Sequence, residues 1–152
     1  FFYRKNMQYD SPNLIIEGEH LHCEEKVWDL AMWLCNNLLP LDVGYEIVVT
    51  FRKFTKKQDG DAQGHHICFD KYNHEITIKN NLKFEEAMIA LTHEFIHVQQ
   101  YMMNYITEVG NKTYWMGDEV PSKTHYFDQP WEIHARSLEK PIYEQYLGTL
   151  TQ

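Results

Sequence analysis

Cysteine is scarce in this chain and poorly spaced for cross-linking. Cys23, Cys35 and Cys68 form an odd set without a C-x-x-C pair, which argues against a disulfide framework and against a cysteine-built zinc site. Free thiols in a reducing, cytoplasmic compartment are the expectation. Long apolar runs are also missing: none approaches the ~20 residues that cross a bilayer as a helix. The start is poor in Lys and Arg and does not read as a signal peptide. It opens on Phe1 rather than Met, which leaves room for residues upstream. Positive charge is the third shortage, with 14 Lys and Arg against 22 Asp and Glu and a formal net charge of -8. Tracking a phosphate backbone calls for a basic stripe. The one basic cluster, RKFTKK at 52–57, reads instead as the solvated end of a strand. Neither nucleic acid nor membrane is an expected partner.

Internal repeats, low-complexity tracts and linkers are absent as well, so the 152 residues suit one domain spanning 1–152. Apolar residues at 43% and aromatics at 14% are enough for a globular core. Leu21, Val27, Leu30, Ala31, Leu34 and Leu38 keep a helical rhythm over 19–39, ended by Pro40. The stretch before them, FFYRKNMQYDSPNL, reads as a packed arm or loop. A β-rich run covers 45–54, the polar tract TKKQDGDAQG is a loop, and HHICFD and EITIKN flank a hairpin. A long helix is expected over 84–106, a short strand or hairpin in KTYWMGDEV, and a last helix over 130–147, kinked at Pro141. The fold class is α+β: a small mixed sheet packed on an N-terminal helix and the long helix, with a C-terminal helix returning.

The long helix carries THEFIHVQQY, in which His93, Glu94 and His97 spell H-E-x-x-H. Two histidines four apart share one helical face and can share one Zn2+, and the adjacent glutamate can take a proton from a water. The letters alone prove little, since in a chain this rich in histidine they arise by chance about once in twenty sequences. Context is stronger. Phe84, Met88, Leu91, Phe95, Val98 and Met102 form a continuous apolar stripe, and His93 and His97 fall opposite its centre. Ile89, Ala90, Ile96 and Gln100 share that second half of the helix, so the helix is expected to be covered on both sides. Buried imidazoles need partners, and a metal is one partner for two.

The order of elements resembles the zincin fold of metallopeptidases. THEFIHVQQY followed by YFDQPWEIHAR is similar to small gluzincin-like peptidases of phages and bacteria, over residues 45–147. The resemblance implies a zinc-dependent hydrolase of peptide bonds, a protease in which an early glutamate of the last helix completes the metal site. Glu132 stands there; His134 stands where an acidic residue is usual, so the third ligand stays open among Glu132, His134, Asp118 and Glu119. Glu132 and Arg136 also fit an ordinary i,i+4 surface ion pair. His20, His22, His65 and His66 read as solvated, and no second metal site is expected.

Glu94 would then be the general base, with Tyr126, His125, Tyr143 and Tyr114 as candidate oxyanion donors. Tyr126 leads because it shortly precedes Glu132. A peptide or protein substrate is expected to add to an edge strand at 64–69, since EITIKN leads straight into the motif helix and belongs further inside. The rival readings are an inactive zincin-like zinc-binding module in protein–protein interaction, a DNA-repair-type metalloprotease, and a hydrolase of non-peptide amides. Retention of Glu94 favours an enzyme, since holding a metal does not require it.

Overall fold

Apolar residues alternate at Ile47, Val49 and Phe51, and the strand that carries them is the centre of the main sheet. The structure is a computed structural model that describes residues 6–10, 13–19 and 24–151. Strands β1 (Asn6–Asp10), β2 (Leu14–Glu19), β3 (Glu46–Arg52), β4 (Gly64–Asp70) and β5 (Asn73–Lys79) form one mixed sheet in the order β1-β2-β3-β5-β4. β3 pairs in parallel with β2 and β5, and the outer pairs are antiparallel. β4 is therefore an outer strand and β5 lies inside it, as the sequence implies.

The N-terminal stretch corrects the sequence reading, because much of it is strand rather than arm or loop. β1 pairs with β2, and β2 is held in turn by long-range parallel pairing with β3. Gly18 (φ 107) sits beside Phe51, and a Cβ there would lie 2.2 Å from the Phe51 carbonyl oxygen, so the two strands approach only because this residue is glycine.

Helix α1 (Glu24–Leu38) buries Val27, Leu30, Ala31 and Leu34 in the core shared with the sheet. His20, Leu21, His22 and Cys23 lie outside the described residues. Cys35 and Cys68 are free thiols, Cys35 buried. The tract read as a loop contains one helical turn, α2 (Lys56–Asp59), capped by the Thr55 hydroxyl, which accepts from the Gln58 amide. Arg52 binds Asp59 there at 2.9 Å, so the basic cluster is solvated only in part.

Helix α3 (Phe84–Met102) carries the motif. It packs on α1, β4 and β5 with one side and on α4 (Pro130–Thr149) with the other. Every residue from Leu91 to Val98 is buried in consequence. The helix stops at Met102 rather than near 106. Asn104 adopts φ 61, and the amides of Asn104 and Tyr105 bond back to Tyr101 O (3.1 Å) and Gln100 O (2.8 Å), a Schellman closure. Residues 106–109 become β6 (Ile106–Val109), which starts a three-stranded meander with β7 (Lys112–Trp115) and β8 (Asp118–Val120). A 3-10 turn at Tyr126–Asp128 leads to Pro130, the first residue of α4, where a missing N–H costs nothing. α4 then continues through Pro141 as one helix. No helix among the described residues is long and apolar enough to cross a membrane.

Candidate metal centre

α3 turns its apolar stripe to the sheet, so His93 and His97, one turn apart, face α4. Their rings stand 4.9 Å apart at 83°. α4 brings Glu132 to meet them in its first turn, set by Pro130. Glu132 Oε1 lies 3.0 Å from His93 Nε2, and Oε2 lies 3.0 Å from His97 Nε2. His93, Glu94 and His97 also place one ligand atom each within 4.8 Å of one another, a group that can hold a metal ion. Two carboxylates thus flank one point. Glu132 places one oxygen 3.0 Å from each imidazole Nε2, so it too can share a metal ion with them.

The protons can be placed from the partners. Glu139 Oε2 lies 3.0 Å from His93 Nδ1, and a carboxylate only accepts, so His93 donates from Nδ1. Gln100 Nε2 donates to Trp131 O at 3.0 Å, which makes the other end of that amide the oxygen. That oxygen is 2.8 Å from His97 Nδ1, so His97 also donates from Nδ1. In the neutral form both imidazoles present a bare Nε2 lone pair to a carboxylate oxygen. Acceptor then faces acceptor at both contacts, and only positive charge between them makes the arrangement favourable. Two imidazoles and one carboxylate are a donor set suited to Zn2+ with a position left open. The outer partners fix each ring as metal-ligating histidines are usually fixed.

Without a cation the charge comes from protons. Burial disfavours charge on His93, but Glu132 and Glu139 outweigh it and lift the imidazole to about 10. His97 is raised in the same way, burial opposing and Glu132 prevailing. Burial pushes Glu132 up, and the two imidazoles outweigh that and hold its carboxyl below the usual range. Glu94 moves the other way: burial raises it.

Glu94 sits under the start of β4. A Cβ on Gly64 would lie 3.2 Å from Glu94 Cγ, so glycine lets the outer strand cross close over the glutamate. The site opens into a cavity of about 730 Å3 lined by α3, β4, the 3-10 turn and the first turns of α4. Tyr126 lines it too, and its hydroxyl donates to Glu132 Oε1 at 2.9 Å.

The other candidates fall elsewhere. His134 stands behind the site and accepts at Nδ1 from Gln100 Nε2 (2.8 Å). Asp118 and Glu119 are exposed on β8, Glu119 3.4 Å from Lys112, and neither lines the cavity. His125 is exposed and stacks on Phe127, Tyr114 lies on β7, and Tyr143 is buried against Tyr146. The alternative ion pair between Glu132 and Arg136 is not formed, because the histidines engage Glu132 and Arg136 donates to Phe127 O at 2.7 Å.

Sequence reasoning missed the outer partners Gln100 and Glu139. Gln100 is three residues from His97 and Glu139 seven from Glu132, helical spacings that put each on the same face as its neighbour. The solvated reading of His66 is also corrected. It packs 5.8 Å from the His97 ring and bonds His74 Nδ1 at 2.9 Å, and burial pushes it down to about 2. His65 is only partly exposed and meets Asp59 at 3.0 Å. No family model, curated protein or solved structure matches the chain.

Proposed function

We propose that the chain is a zinc-dependent peptidase of zincin-like, gluzincin type that cleaves peptide bonds in the cleft between β4 and α4. The observation that carries this reading is the pair of imidazole Nε2 atoms, each 3.0 Å from an oxygen of one carboxylate and each ring held by a partner at Nδ1. His93, His97 and Glu132 hold the ion. Held by these three residues, a zinc ion would supply Lewis-acid chemistry, polarising the scissile carbonyl and lowering the pKa of the attacking water. Glu94 accepts the proton of that water and passes it to the leaving amine; burial, by raising its pKa, suits it to both tasks. Tyr126, whose hydroxyl already reaches Glu132, turns to donate to the oxyanion. The open edge of β4 holds the substrate chain by strand addition.

Metal analysis of untagged protein tests the centre. About one zinc per chain is expected, lost in His93→Ala and in His97→Ala. Wild-type protein without a bound transition metal, and without uptake on titration, removes the reading. Glu94→Gln keeps the shape but not the base, so hydrolysis should fall at least ~100-fold with zinc retained; an unchanged rate places the chemistry elsewhere.

A further inference from the structure

Arg136 is the only arginine or lysine among the described residues lining the cavity. It follows Glu132 by one turn on α4 and precedes Glu139 by one, yet it pairs with neither, because both carboxylates are turned to His93. One arm of the guanidinium donates to Phe127 O at 2.7 Å, and the Phe127 ring stands over it at 5.1 Å. The other arm, Nη1, is enclosed and has no hydrogen-bond partner. It is the one buried side-chain nitrogen or oxygen in that condition among the described residues. A guanidinium is always charged and presents a planar fork that fits a carboxylate. The Phe127 ring beside the guanidinium is 61% exposed and is not part of the core.

We infer that Arg136 anchors a carboxylate of the substrate. The cleft then takes peptides carrying an anionic group close to the cleaved bond. This rests on the peptidase reading and adds the substrate class to it. Residues one turn apart on a helix have Cβ atoms about 5–6 Å apart, and an extended peptide advances about 3.3 Å per residue. The carboxylate therefore sits one or two residues from the bond at the metal centre. It is either the C-terminus of a short peptide or the side chain of Asp or Glu.

Binding of small probes to zinc-loaded protein tests this, read by calorimetry and by the Arg136 Nε–H resonance. The probes are N-acetyl-phenylalanine, its carboxamide, and N-acetyl-aspartate α-methylamide. At least one acid should bind tenfold or more tightly than the carboxamide and shift the Arg136 resonance. N-acetyl-phenylalanine doing so assigns a C-terminal carboxylate, and the aspartate probe doing so assigns a side chain. Arg136→Gln should bring the preference below twofold, and Arg136→Lys should keep only part of it. Equal binding of acids and carboxamide, or no binding of either acid, overturns the inference. So does a preference that survives Arg136→Gln, since the carboxylate then sits on the metal or elsewhere. If Arg136→Gln fails to fold, the wild-type preference and the resonance still decide. Zinc content of the same samples is a separate readout. Protein that takes up no zinc on titration yet prefers acids sinks the peptidase reading alone, and zinc-loaded protein without preference sinks this inference alone.

Discussion

Gln100→Leu tests the proton assignment on which the metal centre depends. Gln100 is fully buried and serves three partners: its oxygen accepts from His97 Nδ1 at 2.8 Å, and its nitrogen donates to Trp131 O at 3.0 Å and His134 Nδ1 at 2.8 Å. Leucine is nearly the same shape and removes all three. Half-buried His134 can turn to another partner, but the His97 N–H and the Trp131 carbonyl are left behind. Each buried group left unpaired costs about 1–3 kcal/mol. The apolar burial of leucine offsets some of this, so the metal-free protein should lose about 2–4 kcal/mol. Zinc affinity should fall about 10- to 100-fold, as when the outer partner of a ligating histidine is removed.

Competition against a chromophoric chelator measures the affinity, and urea unfolding of the metal-free protein measures the stability. Gln100→Glu separates the two effects. It keeps an acceptor on His97 Nδ1, so zinc should bind close to wild type, yet it sets a carboxylate oxygen against Trp131 O and should destabilise the fold. Wild-type zinc affinity in Gln100→Leu would refute the assignment of the His97 proton to Nδ1. Equal loss of zinc in both variants would point to helix docking instead.

Glu132→Ala should release zinc and abolish hydrolysis, while His134→Ala, Asp118→Ala and Glu119→Ala should keep the metal; the opposite pattern by metal analysis moves the third ligand. Gly64→Ala sets a Cβ 3.1 Å from Ile78 Cδ1, 3.2 Å from Glu94 Cγ and 3.2 Å from Thr77 O, so these neighbours must give by a few tenths of an ångström. A stability loss of about 1–3 kcal/mol is expected, with zinc retained and kcat/KM lowered by more than the melting change explains; an unchanged rate rules out a role for that close approach. For His93 the raised pKa sets the sign of a pH effect in metal-free protein. Its contribution is whole below the ordinary value of 6.5 and lost as pH rises through about 10. Urea midpoints of metal-free protein should therefore fall across that window, and zinc uptake at pH 8 should release protons; a flat profile with no proton release counts against a protonated site.

What could be read from the sequence was local. The stripe from Phe84 to Met102 marks α3, and the semi-apolar second face correctly implies a cover on both sides. Glu132 was reachable because the resemblance implies a glutamate early in the last helix, and Pro130 marks where that helix opens. β4 was legible as the edge because β5 leads directly into α3. What depends on partners far along the chain was not legible. β2 is a strand because β3 pairs with it, and the reason for Gly18 is Phe51, distant in sequence. Glu139 is 46 residues from the histidine it holds, and Gln100 is 31 from the carbonyl it binds. The alternative pairing of Glu132 with Arg136 is absent for a related reason: two histidines from another helix engage the glutamate.

The contact between α3 and α4 ties the candidate metal centre to the fold. On its sheet side α3 is held by Leu91, Phe95 and Val98; on the α4 side it is joined through His93, His97 and Gln100 to Glu132, Glu139 and the Trp131 carbonyl. A helix pair built this way gains less from apolar burial than one joined by leucines, and it gathers carboxylates from Glu94, Glu132 and Glu139 around two imidazoles. Such a junction is stable only with positive charge inside it. Protons on the histidines can supply that charge, and a divalent ion supplies more of it while leaving both Nδ1 bonds in place. Whatever binds the folded junction and not the open chain stabilises the junction by mass action. On the proposed reading, metal affinity and the docking of the first turn of α4 are therefore one linked equilibrium. A substitution that loosens Pro130 or Trp131 weakens metal binding well before it disturbs the sheet.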